Sequence, residues 1–299
     1  MSKHAAIISI LALAGLAFAG LALTQPDAAK PTGAAQPATT SQPDQVDGAA
    51  PPVAAADAMK LETQPPAPAA IPVPDLPVVA TSEVEGIKIE EMKIGEGYEV
   101  KPAGAVVVHY HGTLKEGGKK FDSSFERGEP ISFPLVGVIE GWQKGVPGMK
   151  VGGIRRLTIP AKMGYGERGA GGDIPPNADL VFIIQLVDAV QITDETVGTG
   201  EAAQGQCVAV SAGTVKDATG TVIEKSDAAS PYIWIPGELQ GVTFGLEGMK
   251  VGGKRTIRIP KEMNPAVPGL ETKRPNGVPL VVELELIAVR NLGGGPRKR

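Results

Sequence analysis

The sequence predicts an α+β fold, a sheet wrapped on one short helix, built twice in tandem after an unstructured lead. Three observations predict it. Strand-like segments are short and many, with one good helix pattern among them. Gly148-Met-Lys-Val-Gly-Gly153 returns as Gly248-Met-Lys-Val-Gly-Gly253, and each copy is followed by a strand ending in Ile-Pro, at Pro160 and Pro260. From Gln25 to about Ala80 the chain is Ala, Pro, Gln, Thr and Asp with no apolar periodicity, a composition with nothing to bury.

Composition narrows the chemistry. A net charge of −4 without long charged runs gives no electrostatic case for nucleic acid. The single cysteine, Cys207, excludes an intrachain disulfide and a thiolate metal cluster, and its apolar run CVAV predicts a buried thiol. Of three histidines, His109 and His111 share one face of a strand, read as solvent-facing around an inward Tyr110. No third metal ligand stands near them, so neither metal nor cofactor is predicted.

In chain order, residues 1–24 carry Lys3 and then an apolar run from Ala5 to Thr24, with Ala17-Phe18-Ala19 as an A-x-A cleavage pattern. That reads as a signal peptide, or as an anchor tethering residues 5–24 in a membrane; either way the protein is exported, periplasmic or held facing outside the cytoplasm. Residues 25–80 form an extended Ala/Pro-rich spacer. The first module occupies 81–190. Order begins near Glu83, with strands at Ile87–Ile89 and Met92–Ile94 and a turn at Gly95–Gly97. A strong strand runs from Ala105 to Tyr110, followed by a turn at Lys115–Gly118. Phe121 to Phe133 is bent by Gly128 and Pro130. Val138 to Val146 is the helix, with Ile139, Trp142 and Val146 on one face and Pro147 closing it. Gly141 and Gly145 on one line of that helix permit a close approach. Ile154–Pro160 and Leu180–Val187 complete the strands. The second module occupies 191–290, and 291–299 is a basic tail.

Gly164-Tyr-Gly166-Glu-Arg-Gly169 matches G-x-G-x-x-G. A dinucleotide site needs a helix to open at the third glycine. Ala-Gly-Gly-Asp-Ile-Pro-Pro follows instead, so the segment is read as a loop. The aromatics Tyr110, Phe121, Phe133, Trp142, Tyr165 and Phe182, with Asp122 set beside Phe121, have the composition of a shallow apolar pocket with a polar rim.

Val107-Val-His-Tyr110, GKKFDSS at Gly118–Ser124, Val138-Ile-Glu-Gly-Trp142, Tyr165-Gly166 and Ile174-Pro-Pro-Asn-Ala-Asp-Leu-Val-Phe182 resemble the FKBP-type peptidyl-prolyl isomerases over about 100 residues. The resemblance implies an antiparallel half-barrel sheet around a short helix, with the pocket between them. It implies catalytic roles for Asp122, Tyr165, Ile139 and Tyr110, with Arg127 holding Asp122. Phe121, Ile131, Phe133, Val138, Trp142, Ile174 and Phe182 would bind substrate, with Trp142 as floor. Proline-containing peptides and unfolded exported proteins become the expected partners, and macrolide-type compounds the expected inhibitors. A second reading keeps the pocket but not the catalysis: a chaperone-like or scaffold module holding proline-bearing segments. It draws on Ile131 where the family usually has an aromatic, on a segment before Val138 about two residues short, and on a glycine-rich loop at Glu167–Asp173.

The second copy keeps the scaffold signals and loses the pocket. Tyr110, Phe121 and Asp122 align with Ser211, Val222 and Ile223; Trp142, Tyr165, Ile174 and Phe182 align with Val242, Pro265, Arg274 and Val282. A folded, catalytically silent module is expected there.

Overall fold

The computed structural model describes residues 68–265 and 274–292. The segment read as a signal peptide or anchor (1–24), spacer residues 25–67 and the tail beyond Leu292 lie outside them. Each module is an antiparallel sheet curled on a single short helix. In the first, the elements are β1 (Ala80–Val84), β2 (Ile87–Lys93), β3 (Ala105–Leu114), β4 (Lys120–Ser123), β5 (Ile131–Pro134), α1 (Glu140–Gly145), β6 (Ile154–Ile159) and β7 (Leu180–Ala189). They pair in the order β1-β2-β6-β7-β3-β4, with β5 also on β3. The second repeats the plan with β8 (Gln191–Thr196), β9 (Cys207–Asp217), β10 (Val222–Ser226), β11 (Tyr232–Trp234), α2 (Gln240–Gly245), β12 (Lys254–Ile259) and β13 (Leu280–Asn291). Its order is β10-β9-β13-β12-β8, with β11 on β9.

Alternation in the strands makes the core. Val106, Val108 and Tyr110 of β3, Leu157 and Ile159 of β6, and Phe182, Ile184 and Leu186 of β7 all turn toward α1, which answers with Trp142 and the flanking Ile139 and Val146. The helix sits close to the sheet because it carries glycine where it touches. A Cβ on Gly141 would lie 2.3 Å from a methyl of Ile159, and one on Gly145 2.8 Å from Leu157. Gly241 and Gly245 repeat the device against Ile259 and Ile257.

Two expectations are corrected. Order begins ahead of Glu83: β1 starts at Ala80, and the Val79 and Ile71 amides already donate to Glu91 and Phe125 at 2.7 Å each. The histidines are not both turned to solvent. His109 is buried, stacked on Phe125 at 5.0 Å, and burial lowers its pKa; His111 is half-buried. Phe125 covers His109 on the outer face of β3. Further along that face Ala105 and Val107, with Val190, pack into the core of the second module. Cys207 is buried, as its apolar run predicts.

Candidate active site

Strand β3 delivers Tyr110 to the concave face, and β4 runs back beside it carrying Phe121 and Asp122. Gly112 lies beneath this hairpin; a Cβ there would meet the Phe121 ring at 2.6 Å and Phe182 at 3.0 Å. The glycine lets those two rings meet edge to face at 5.5 Å. Trp142, fully buried on the first turn of α1, receives three rings edge to face: Phe182 at 5.3 Å, Tyr110 at 5.8 Å and Phe133 at 5.9 Å. Edge-to-face contacts of this kind each add about 0.5–1.5 kcal/mol beyond area burial. Val138, Ile139 and Ile174 close the same cluster, while Ile131 and Tyr165 are only partly buried against it and form its rim.

A polar group is built into this apolar wall. The Tyr110 hydroxyl donates to Asp122 Oδ2. Arg127 Nη1 donates to Asp122 Oδ1 at 2.6 Å, and its Nη2 to the Tyr110 hydroxyl at 3.1 Å. The Ser123 amide adds a third donor to the carboxylate at 2.8 Å. Asp122 is 5% exposed, so each donor replaces water the carboxylate has lost. Burial, then the Asp122 charge, push the Tyr110 and Tyr165 hydroxyls far above the ordinary tyrosine value, and both stay neutral donors. Arg127 is opposed by its own burial, yet the Asp122 hydrogen bond and charge raise its pKa further. The cluster holds one fixed carboxylate and two neutral hydroxyls against a dry ring surface. Nothing in it is a nucleophile poised beside a base.

All the residues expected at the site therefore fall in or on one cluster. Two contributors were missed. Ser124 takes the Tyr110 amide on its Oγ at 2.8 Å and fixes the register of β3 and β4 at the carboxylate. Gln143 donates to the Val138 carbonyl at 2.8 Å and braces the segment entering α1. The Ser-Ser following Asp122 was the available signal for the first. A cleft of about 670 Å³ lies outside the ring cluster, between the β3–β4 turn and Pro175–Asp179.

Strand pairing corrects the alignment of the second copy. Tyr110 faces Ile184 and Gly213 faces Leu284, while Ile184 and Leu284 face the matching arginines Arg155 and Arg255. The Gly213 amide also donates to Ser226 Oγ, as Tyr110 does to Ser124. Tyr110 thus corresponds to Gly213 rather than Ser211, Phe121 to Ile223, and Asp122 to Glu224. The insertions that separate the copies are spread over successive hairpin turns, so one shift could not carry all of β3 and β4. Val242 does replace Trp142, buried on α2.

A curled antiparallel sheet, a short glycine-faced helix and a ring-lined cluster between them define a small α+β binding module, present twice. The sequence pattern described as FKBP-type peptidyl-prolyl cis-trans isomerase matches residues 89–187 and again 198–287, and the chain belongs to that family. A probable FK506-binding protein of Corynebacterium glutamicum is 50% identical over 105 residues, covering 35% of this chain and 88% of that protein. An FK506-binding protein of Neisseria meningitidis serogroup B is 51% identical over 104 residues, 34% of this chain and 94% of its own length. The isomerase FkpA of Escherichia coli is 47% identical over 103 residues, 34% of this chain and 37% of its own. The crystal structure of FkpA from that organism matches at 44% identity with a TM-score of 0.35, covering 36% of this chain and 51% of that one.

Proposed function

We propose that the first module accelerates rotation about X-Pro bonds of exported proteins, and that Asp122, Tyr110, Tyr165 and Ile139 act on the substrate within the cup floored by Trp142. The observation that carries this is the Asp122–Tyr110–Arg127 group hydrogen-bonded into a wall of edge-to-face rings. Rotation must break amide resonance against a barrier of about 18–20 kcal/mol. The planar amide is more dipolar than the twisted one, so a dry aromatic surface favours the twisted form relative to water. A thousandfold gain needs only about 4 kcal/mol of such differential binding. The Tyr165 hydroxyl and Ile139 amide anchor substrate carbonyls, Asp122 orients the reacting region, and Phe121, Ile131, Phe133, Val138, Ile174 and Phe182 grip the proline and its neighbour. The same surface would take macrolide-type compounds as inhibitors; the Corynebacterium and Neisseria relatives are named for binding FK506.

We read residues 1–24 as a signal peptide or membrane anchor, with the activity carried out beyond the cytoplasm by an exported or tethered protein. Among the described residues no helix is long and apolar enough to cross a membrane. The second module is catalytically silent, lacking the tyrosine and the indole of the first.

The test is turnover of a short proline peptide by Asp122→Asn and Trp142→Leu variants of the full chain, with folding followed by circular dichroism. Losing charge-assisted hydrogen bonds worth about 1.5–3 kcal/mol predicts a fall of roughly tenfold or more for the first. A comparable fall is expected for the second. Wild-type turnover in both folded variants would end the assignment.

A further inference from the structure

The second module has not simply lost its cup; it has filled it. Arg274 stands as far ahead of β13 as Ile174 does ahead of β7, at the place where the first module has a pocket wall. Its side chain is only 9% exposed. The guanidinium carbon sits 5.1 Å over the ring of Trp234, which occupies the strand position of Phe133. Nη2 donates to Glu238, and Nε lies 3.4 Å from Glu224, the counterpart of Asp122. Both carboxylates are themselves largely buried, at 14% and 15% exposed. Trp234 is held by its Nε1 donating to Ser211 Oγ at 2.8 Å, and Tyr232 lies against it at 5.2 Å.

Two buried carboxylates and an indole face match a planar cation with a fork of donors, and match neither a proline ring nor a compact ammonium. We propose that the second module is a guanidinium-binding cage occupied by its own Arg274, a ligand of opposite character to that of the first module, held in cis. The two acids without the cation would repel each other out of water. Arg274 therefore closes the module to proline peptides.

The experiment is a thermal melt of the full chain as wild type, Arg274→Ala and Arg274→Ala/Glu238→Gln, each with millimolar methylguanidinium or methylammonium. The single variant should lose about 5 °C or more and recover at least half of it with methylguanidinium, but not with methylammonium. The double variant should recover much less, and wild type should not respond. Turnover of a proline peptide by the first module should stay at the wild-type rate throughout. If Arg274→Ala does not fold alone, soluble refolded yield with and without methylguanidinium replaces the melt, and recovery is again expected. An unchanged melt in Arg274→Ala, equal recovery with both cations, recovery undiminished in the double variant, or no recovery at all would each overturn the cage.

Discussion

At the scale of single residues, the site rests on one carboxylate with more donors than a surface acid would need. The Tyr110 hydroxyl both donates to Asp122 and accepts from Arg127, so removing it touches two bonds at once. Tyr110→Phe is expected to cost about 1.5–3 kcal/mol, because the ring packing is kept while a bond to a buried charge is lost. Denaturant unfolding checks this: the midpoint should fall with the slope unchanged. Phe121, Asp122, Trp142 and Tyr165 were legible in the sequence because they sit in compact motifs. The path of Arg127 back across Tyr110 was legible only through the resemblance, since residues 124–130 turn with no periodicity to read. The cage of the second module was not legible at all. Its members come from three separate segments, and a uniform shift between the copies hid Glu224 behind Ile223.

At the scale of elements, helix and sheet are matched by glycines, and the sequence showed this. Gly141 and Gly145 on one line of a short helix have no use on a solvent face, and both lie against branched side chains of β6. Strand β1 was missed because every one of its residues is exposed, so it has no buried face to leave a pattern. It is held by its partner β2, and β2 in turn by ion pairs to β6. Glu90 is 6% exposed and takes both arms of Arg156, at 2.8 and 2.9 Å, with Lys88 at 2.8 Å. The Arg156 hydrogen bonds, against burial, hold its pKa at about 2. Because the folded value lies below the unfolded one, this stabilisation is complete above pH 4.5 and drains away as pH falls from there toward 2. Allowing for solvent around Arg156, about 2 kcal/mol is at stake. Arg156→Gln should lower stability at pH 7 and flatten the loss between pH 5 and about pH 2. An acid limb as steep as that of wild type would remove Glu90 from the account.

At the scale of the molecule, the repeat announced two modules but not how they depend on each other. Strand β3 is the hinge of that question, because its inner face carries Tyr110 and its outer face carries Ala105 and Val107. Those two, with Val190, are at most 3% exposed, and their neighbours are the core residues of the second module. A module standing alone would leave this face in water, where two valines and an alanine forfeit about 3 kcal/mol of burial as an upper bound. The second module then acts as the backing of strand β3 on the face away from Tyr110. A fragment of residues 68–190 should melt about 10 °C below the first module in the full chain, measured by calorimetry under identical conditions. Its turnover at a temperature where it is folded should match that of the full chain, because the concave face is untouched. A fragment melting as high as the intact protein would show that the first module closes its own outer face, and the backing role would fall with that result.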